Sequence, residues 1–154
     1  MFDLSKKIAA RVAPLAVAAV LAACMPSGTS DAQTLASKVE TLRAYDLATV
    51  DGKAPARAIR FYIGDNSRFA VCGHCLCVTG VMFAPYPALG IRPTSASPTF
   101  ACEQETPEFK ADAGLAQLFF DMKQAQVEGA AVTFSGSGDH VMVFQRGGTD
   151  LTPP

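Results

Sequence analysis

The chain has no tryptophan, and neither sign of charge is in surplus: 13 Lys and Arg stand against 14 Asp and Glu, for a formal charge of −1. The even balance gives no basic patch for nucleic acid and no acidic tail. Internal repeats are missing, so a solenoid or propeller is excluded. So are a Gly-rich phosphate loop, a Ser-His-Asp order and a His-Glu-x-x-His pair, and with them the common signatures of nucleotide, hydrolase and zinc-protease chemistry. The longest apolar run, Val12 to Ala23, falls short of the roughly 20 residues a spanning helix needs. What the chain does hold is 49% apolar residues in 154, enough for one domain plus extensions.

Residues 1–23 are expected to be a signal peptide. Lys6, Lys7 and Arg11 supply a positive start and Val12 to Ala23 an apolar centre. The run ends Leu21-Ala22-Ala23-Cys24, which resembles a bacterial lipobox. Cys24 would then become the lipidated first residue of the mature chain, carrying acyl groups such as palmitate. Met25 rather than Asp follows it, which points to the outer membrane, with the domain facing the periplasm. Each buried acyl methylene contributes about 0.8 kcal/mol, so several chains hold firmly. Residues 24–40, rich in Ser, Thr and Ala, are expected to be a flexible tether.

With Cys24 assigned to lipid, four cysteines remain. Three of them share Cys72-Gly73-His74-Cys75-Leu76-Cys77 with one of the two histidines. This cluster admits three readings. Cys72-Gly73-His74-Cys75 is the dithiol sequence of disulfide isomerases, but the residues after Cys75 have strand and turn chemistry rather than helical character, and no Trp precedes Cys72. Cys72, His74, Cys75 and Cys77, with Cys102, are soft ligands for zinc or cuprous copper. Against this, only one dense cluster exists, and strand alternation sets Cys72 and His74 on the face opposite Cys75 and Cys77. The third reading is two structural disulfides in an oxidising compartment, for which four cysteines allow three pairings.

Along the mature chain, Leu42 to Val50 is expected to be a strand closed by Asp51-Gly52. In 58–63, Ile59, Phe61 and Ile63 share one face. Arg68 to Cys75 should pair with it as a hairpin, with Phe69, Val71, Gly73 and Cys75 on one face, and Val78 to Phe83 should continue the sheet. Prolines limit Leu89 to Ile91 to a short edge strand. One helix is expected, with Thr106 as N-cap, Pro107 at its first position and Glu108 complementing the dipole. Its apolar stripe is Phe109, Ala113, Ala116 and Phe120, widened by Leu115, Phe119 and Met122, and Asp112 is out of place beside it. Two final strands should bury Val132 and Phe134, then Met142 and Phe144, with His140 at a solvated strand end. The fold class is therefore α+β: a strongly curved antiparallel sheet or small open barrel covered by one α-helix.

Three motifs in register resemble the META-domain family, the HslJ-like envelope lipoproteins. The first is His74-Cys75-Leu76 with Gly80 and Met82. The second is Thr99-Phe100-Ala101-Cys102 with Glu108-Phe109. The third is Val127-Glu128-Gly129, Val132, Phe134, Gly138 and Met142-Val143-Phe144-Gln145-Arg146. The resemblance spans residues 41–147, and 148–154 remain as a tail. Leu76 replaces the family's Asn, Met82 an aromatic, His74 a Gly, and Cys72 and Cys77 are extra. Cys75 and Cys102 occupy the family's two cysteine positions, so the resemblance pairs them and leaves Cys72 to Cys77. It implies a non-enzymatic envelope protein of stress tolerance or envelope maintenance that binds other envelope components. It implies no cofactor, no metal and no catalytic residue.

Overall fold

The computed structural model describes residues 33–99, 102–136 and 138–148. The expected signal peptide, Cys24, most of the expected tether, Phe100 and Ala101 of the second motif, and all but the first residue of the expected tail lie outside the described residues. Alternating patterns at residues 58–63 and 141–146 form strands that bury every second side chain. The strands are β1 (Ala44–Val50), β2 (Arg60–Ile63), β3 (Arg68–Cys72), β4 (Leu76–Met82), β5 (Ile91–Pro98), β6 (Met122–Glu128), β7 (Ala131–Gly136) and β8 (Val141–Arg146), with α1 (Pro107–Phe120) between β5 and β6. They make one antiparallel sheet in the order β5-β4-β3-β2-β1-β8-β7-β6. The fold is α+β, a curled sheet with one helix.

The loop between β4 and β5 curls that sheet. Ala88 bridges Gln124 of β6, the Leu89 N–H donates to Lys123 O at 2.7 Å, and the Ala125 N–H donates to Pro87 O at 2.9 Å. Backbone leaving one edge is thus stitched to the strand at the other. Inside the curl, Phe61, Phe119, Phe134 and Phe144 are fully buried. The Phe119 ring lies 5.1 Å from Phe134, 5.6 Å from Phe69 and 5.8 Å from Phe61. Burying each such ring contributes about 1.5–3 kcal/mol, so helix and sheet are held chiefly by this cluster.

The helix starts as its sequence indicates. Thr106 Oγ1 accepts the Phe109 N–H at 3.3 Å, and Pro107 stands where no N–H is needed. Its buried stripe is Asp112, Ala116 and Phe119, whereas Phe109, Ala113 and Phe120 are partly buried against Leu76 and Val78.

Several expectations are corrected. Met122 opens β6 rather than extending the helix stripe, because the chain passes from α1 into the strand within two residues. β6 itself was not anticipated: as an edge strand it buries only Met122 and Ala125, so no alternation shows. The edge strand expected at Leu89 to Ile91 is β5, which starts only at Ile91 and runs eight residues to Pro98. It tolerates Pro93 and Pro98 because it pairs on one side only. Beside Pro93 the register slips, and Thr94 sends its hydroxyl to Thr79 O at 3.3 Å. β1 begins at Ala44, since Leu42 has a positive φ of 60°. The strand expected to reach Cys75 ends at Cys72. Leu35 and Ala36 join the core, so packing begins inside the expected tether.

Candidate functional site

The cysteine cluster is the tip of the β3–β4 hairpin. The Gly73 N–H donates to Leu76 O at 2.8 Å, leaving His74 and Cys75 as a two-residue turn. Strand alternation therefore stops at Gly73, and the parity argument that set Cys72 against Cys77 does not hold. The two face each other directly across β3 and β4, with Cα atoms 4.0 Å apart, and are joined as a disulfide. Cys75 is joined to Cys102, at a Cα separation of 5.2 Å, from the segment that leads into α1. The Cys72-x-x-Cys75 pair is thus not bonded to itself, and strand β4 comes after it, unlike the helix of a disulfide isomerase.

Two hydrogen bonds reinforce the second bridge. The Thr99 N–H donates to Cys75 O at 2.9 Å, and Thr99 Oγ1 donates to His74 O at 2.6 Å. From below, α1 contributes the residue that looked out of place. Asp112 is 2% exposed, and its Oδ2 accepts the Cys75 N–H at 2.6 Å. Its Oδ1 has no hydrogen-bond partner among the described residues. Burying a carboxylate is costly unless it is hydrogen-bonded; here it satisfies a turn N–H that no strand can reach. The carboxylate lies flat on Gly73, where a Cβ would come within 2.5 Å of Asp112 Cγ. Glycine is needed at that position for space.

His74 is exposed above the turn. One of its ring nitrogens and the sulfurs of Cys75 and Cys102 all lie within 4.8 Å of one another. Beside them is Glu108, held below the usual carboxylate range first by its own backbone N–H and then by the Arg57 guanidinium 3.1 Å away, with His74 adding a smaller effect. His140 stands apart: its Nδ1 lies 2.9 Å from Asp51 Oδ2 at another turn. The Val141 N–H foremost, then His140, lower the Asp51 pKa.

Among the described residues, the structure thus brings the donor atoms of His74, Cys75 and Cys102 together, while Cys72 and Cys77, bonded to each other across β3 and β4, do not join them as the sequence suggested. Reading the sequence missed Asp112 and Thr99 as members of the site. An aspartate on an apolar helix stripe was the available signal, and nothing local marked Thr99.

No protein-family model matches the chain, and no curated protein matches it in sequence. Solved structures do resemble it. A protein determined by NMR superposes with a TM-score of 0.52 at 11% identity, over 73% of this chain and 95% of that one. A DUF4847-family protein from Bacteroides vulgatus gives 0.53 at 8% identity, over 75% and 98%. At these identities the likeness concerns the fold.

Proposed function

We propose that the protein is a non-enzymatic envelope lipoprotein with a META-type domain, anchored through Cys24 and acting in stress tolerance or envelope maintenance by binding other envelope components. The observation that carries this reading is the bonding of all four cysteines among the described residues into two disulfides. Such a framework suits an oxidising compartment, in keeping with a leader that ends Leu21-Ala22-Ala23-Cys24. One bridge ties β3 to β4 and the other ties the hairpin tip to the segment that leads into the helix, so their first effect is mechanical. The META-type assignment rests on the three sequence motifs. Two of them, around Cys75 and Cys102, meet at one bond.

The test has two parts. Native protein taken from the envelope should show no free thiols in denaturant, and Cys24→Ser should move it from the outer membrane to the soluble periplasm. Retention of Cys24→Ser in the membrane after a high-salt wash refutes the anchor. Two or more free thiols in the isolated protein refute the structural role of the bridges and favour a thiol oxidoreductase.

A further inference from the structure

We infer that opening the Cys75–Cys102 bridge converts the turn into a binding site for a thiophilic d10 cation, with His74, Cys75 and Cys102 as the protein ligands. The three donor atoms already lie within 4.8 Å of one another. On one tetrahedral zinc, donors at about 2.0–2.3 Å from the metal stand roughly 3.6–3.8 Å apart. The imidazole must approach by about 1 Å, which exposed His74 can do by turning, and the sulfurs must separate by about 1.7 Å from their bonded distance. The sulfurs need only relax from bonded to neighbouring, while three features hold their backbones in place. These are the Thr99 hydrogen bonds to His74 and Cys75, the Asp112 bond to the Cys75 N–H, and the N-cap of α1 just downstream of Cys102. Asp112 adds a second, independent indication: the buried carboxyl group beneath the turn has one oxygen with no hydrogen-bond partner among the described residues. Two thiolates and an imidazole make a soft donor set with a coordination position left open.

The site exists only in the reduced protein, and a dithiol reductant supplies the change. One reductant thiolate attacks a bridge sulfur, the S–S bond breaks, and the other sulfur leaves as thiolate. The reductant's second thiolate then attacks its own sulfur in the mixed disulfide, the second protein sulfur leaves as thiolate, and the reductant departs as a cyclic disulfide, having delivered two electrons. The two protein thiols lose their protons as the cation binds. Half-buried Cys102 and exposed His74 leave the bridge reachable from solvent.

Zinc(II) is the probe. The full chain with Cys24→Ser and Cys72→Ser/Cys77→Ser, reduced anaerobically by a phosphine, is titrated against a chromophoric chelator. One zinc should bind per chain with release of two protons. His74→Ala and Cys102→Ser should each weaken binding at least tenfold, and zinc should raise the thermal midpoint of the reduced protein. If the double serine chain does not fold, the reduced chain with Cys72 and Cys77 intact decides, with the same tenfold loss expected for His74→Ala. Undiminished affinity in His74→Ala, equal binding by oxidised protein, or binding without a rise in midpoint each overturns the inference. Failure here leaves the envelope reading intact, because that reading is tested on the oxidised chain.

Discussion

The two disulfides close loops of very different length around the same turn, and this predicts an ordered pair of stability losses. Cys75 and Cys102 are 27 residues apart in sequence, Cys72 and Cys77 only 5. If each bond acts mainly by restricting the unfolded chain, loop-closure entropy assigns about 3.5 kcal/mol to the longer loop and about 2 kcal/mol to the shorter. The perturbations are Cys102→Ser and Cys77→Ser, both in a Cys24→Ser background. Each removes a bridge at its half-buried end and leaves the buried cysteine in place. Urea unfolding at fixed pH measures the losses, with peptide mapping to confirm that the remaining bridge is intact. Cys102→Ser should cost more than Cys77→Ser by about 1.5 kcal/mol, and its slope with urea should rise as the unfolded chain expands. Adding Cys75→Ser to Cys102→Ser should cost little more, since the two residues share one bond. A larger loss in Cys77→Ser, or losses under about 1 kcal/mol for both, would refute loop closure as the source of stabilisation.

Phe119 sits at the centre of the aromatic cluster, so Phe119→Ala should destabilise by about 3–5 kcal/mol in the same urea assay. Asp112→Ala leaves the buried Cys75 N–H without its acceptor and should cost about 1–3 kcal/mol, whereas Gly73→Ala in the otherwise unchanged chain should be at least as damaging, because its Cβ meets the same carboxylate. Asp51 and Glu108 have folded pKa values below their usual range. Their stabilisation is therefore complete above the unfolded carboxylate pKa of about 4 and is lost as pH falls through the lower folded values. Thermal midpoints should drop in that acid window, and Asp51→Asn should reduce the drop.

What could be read without the structure was local and periodic. Ile59, Phe61 and Ile63 alternate because one face of β2 meets the core. Thr106 and Pro107 mark the helix start because the first backbone N–H groups need an acceptor or no donor at all. Those signals were sufficient for the α+β class, with one helix against a curled antiparallel sheet. Edge strands escaped because solvent removes the alternation: β6 buries two of its seven residues, and β5 is exposed along nearly its whole length. Met122 was ambiguous for a related reason. An apolar residue two positions past a helix fits a helical stripe as well as a new strand, and only its pairing with Gly136 of β7 decides. The site depended on contacts between residues far apart in the chain. Asp112 is 37 positions from the N–H it satisfies, and Thr99 comes under the turn only after β5 has paired with β4. The residue types and the crowding of cysteines at 72–77 belonged to the sequence. That the crowding is a hairpin tip, with Cys72 opposite Cys77 and a buried carboxylate beneath, was decided by tertiary structure, because a turn reverses the facing of every residue after it and no periodic pattern records where that reversal falls.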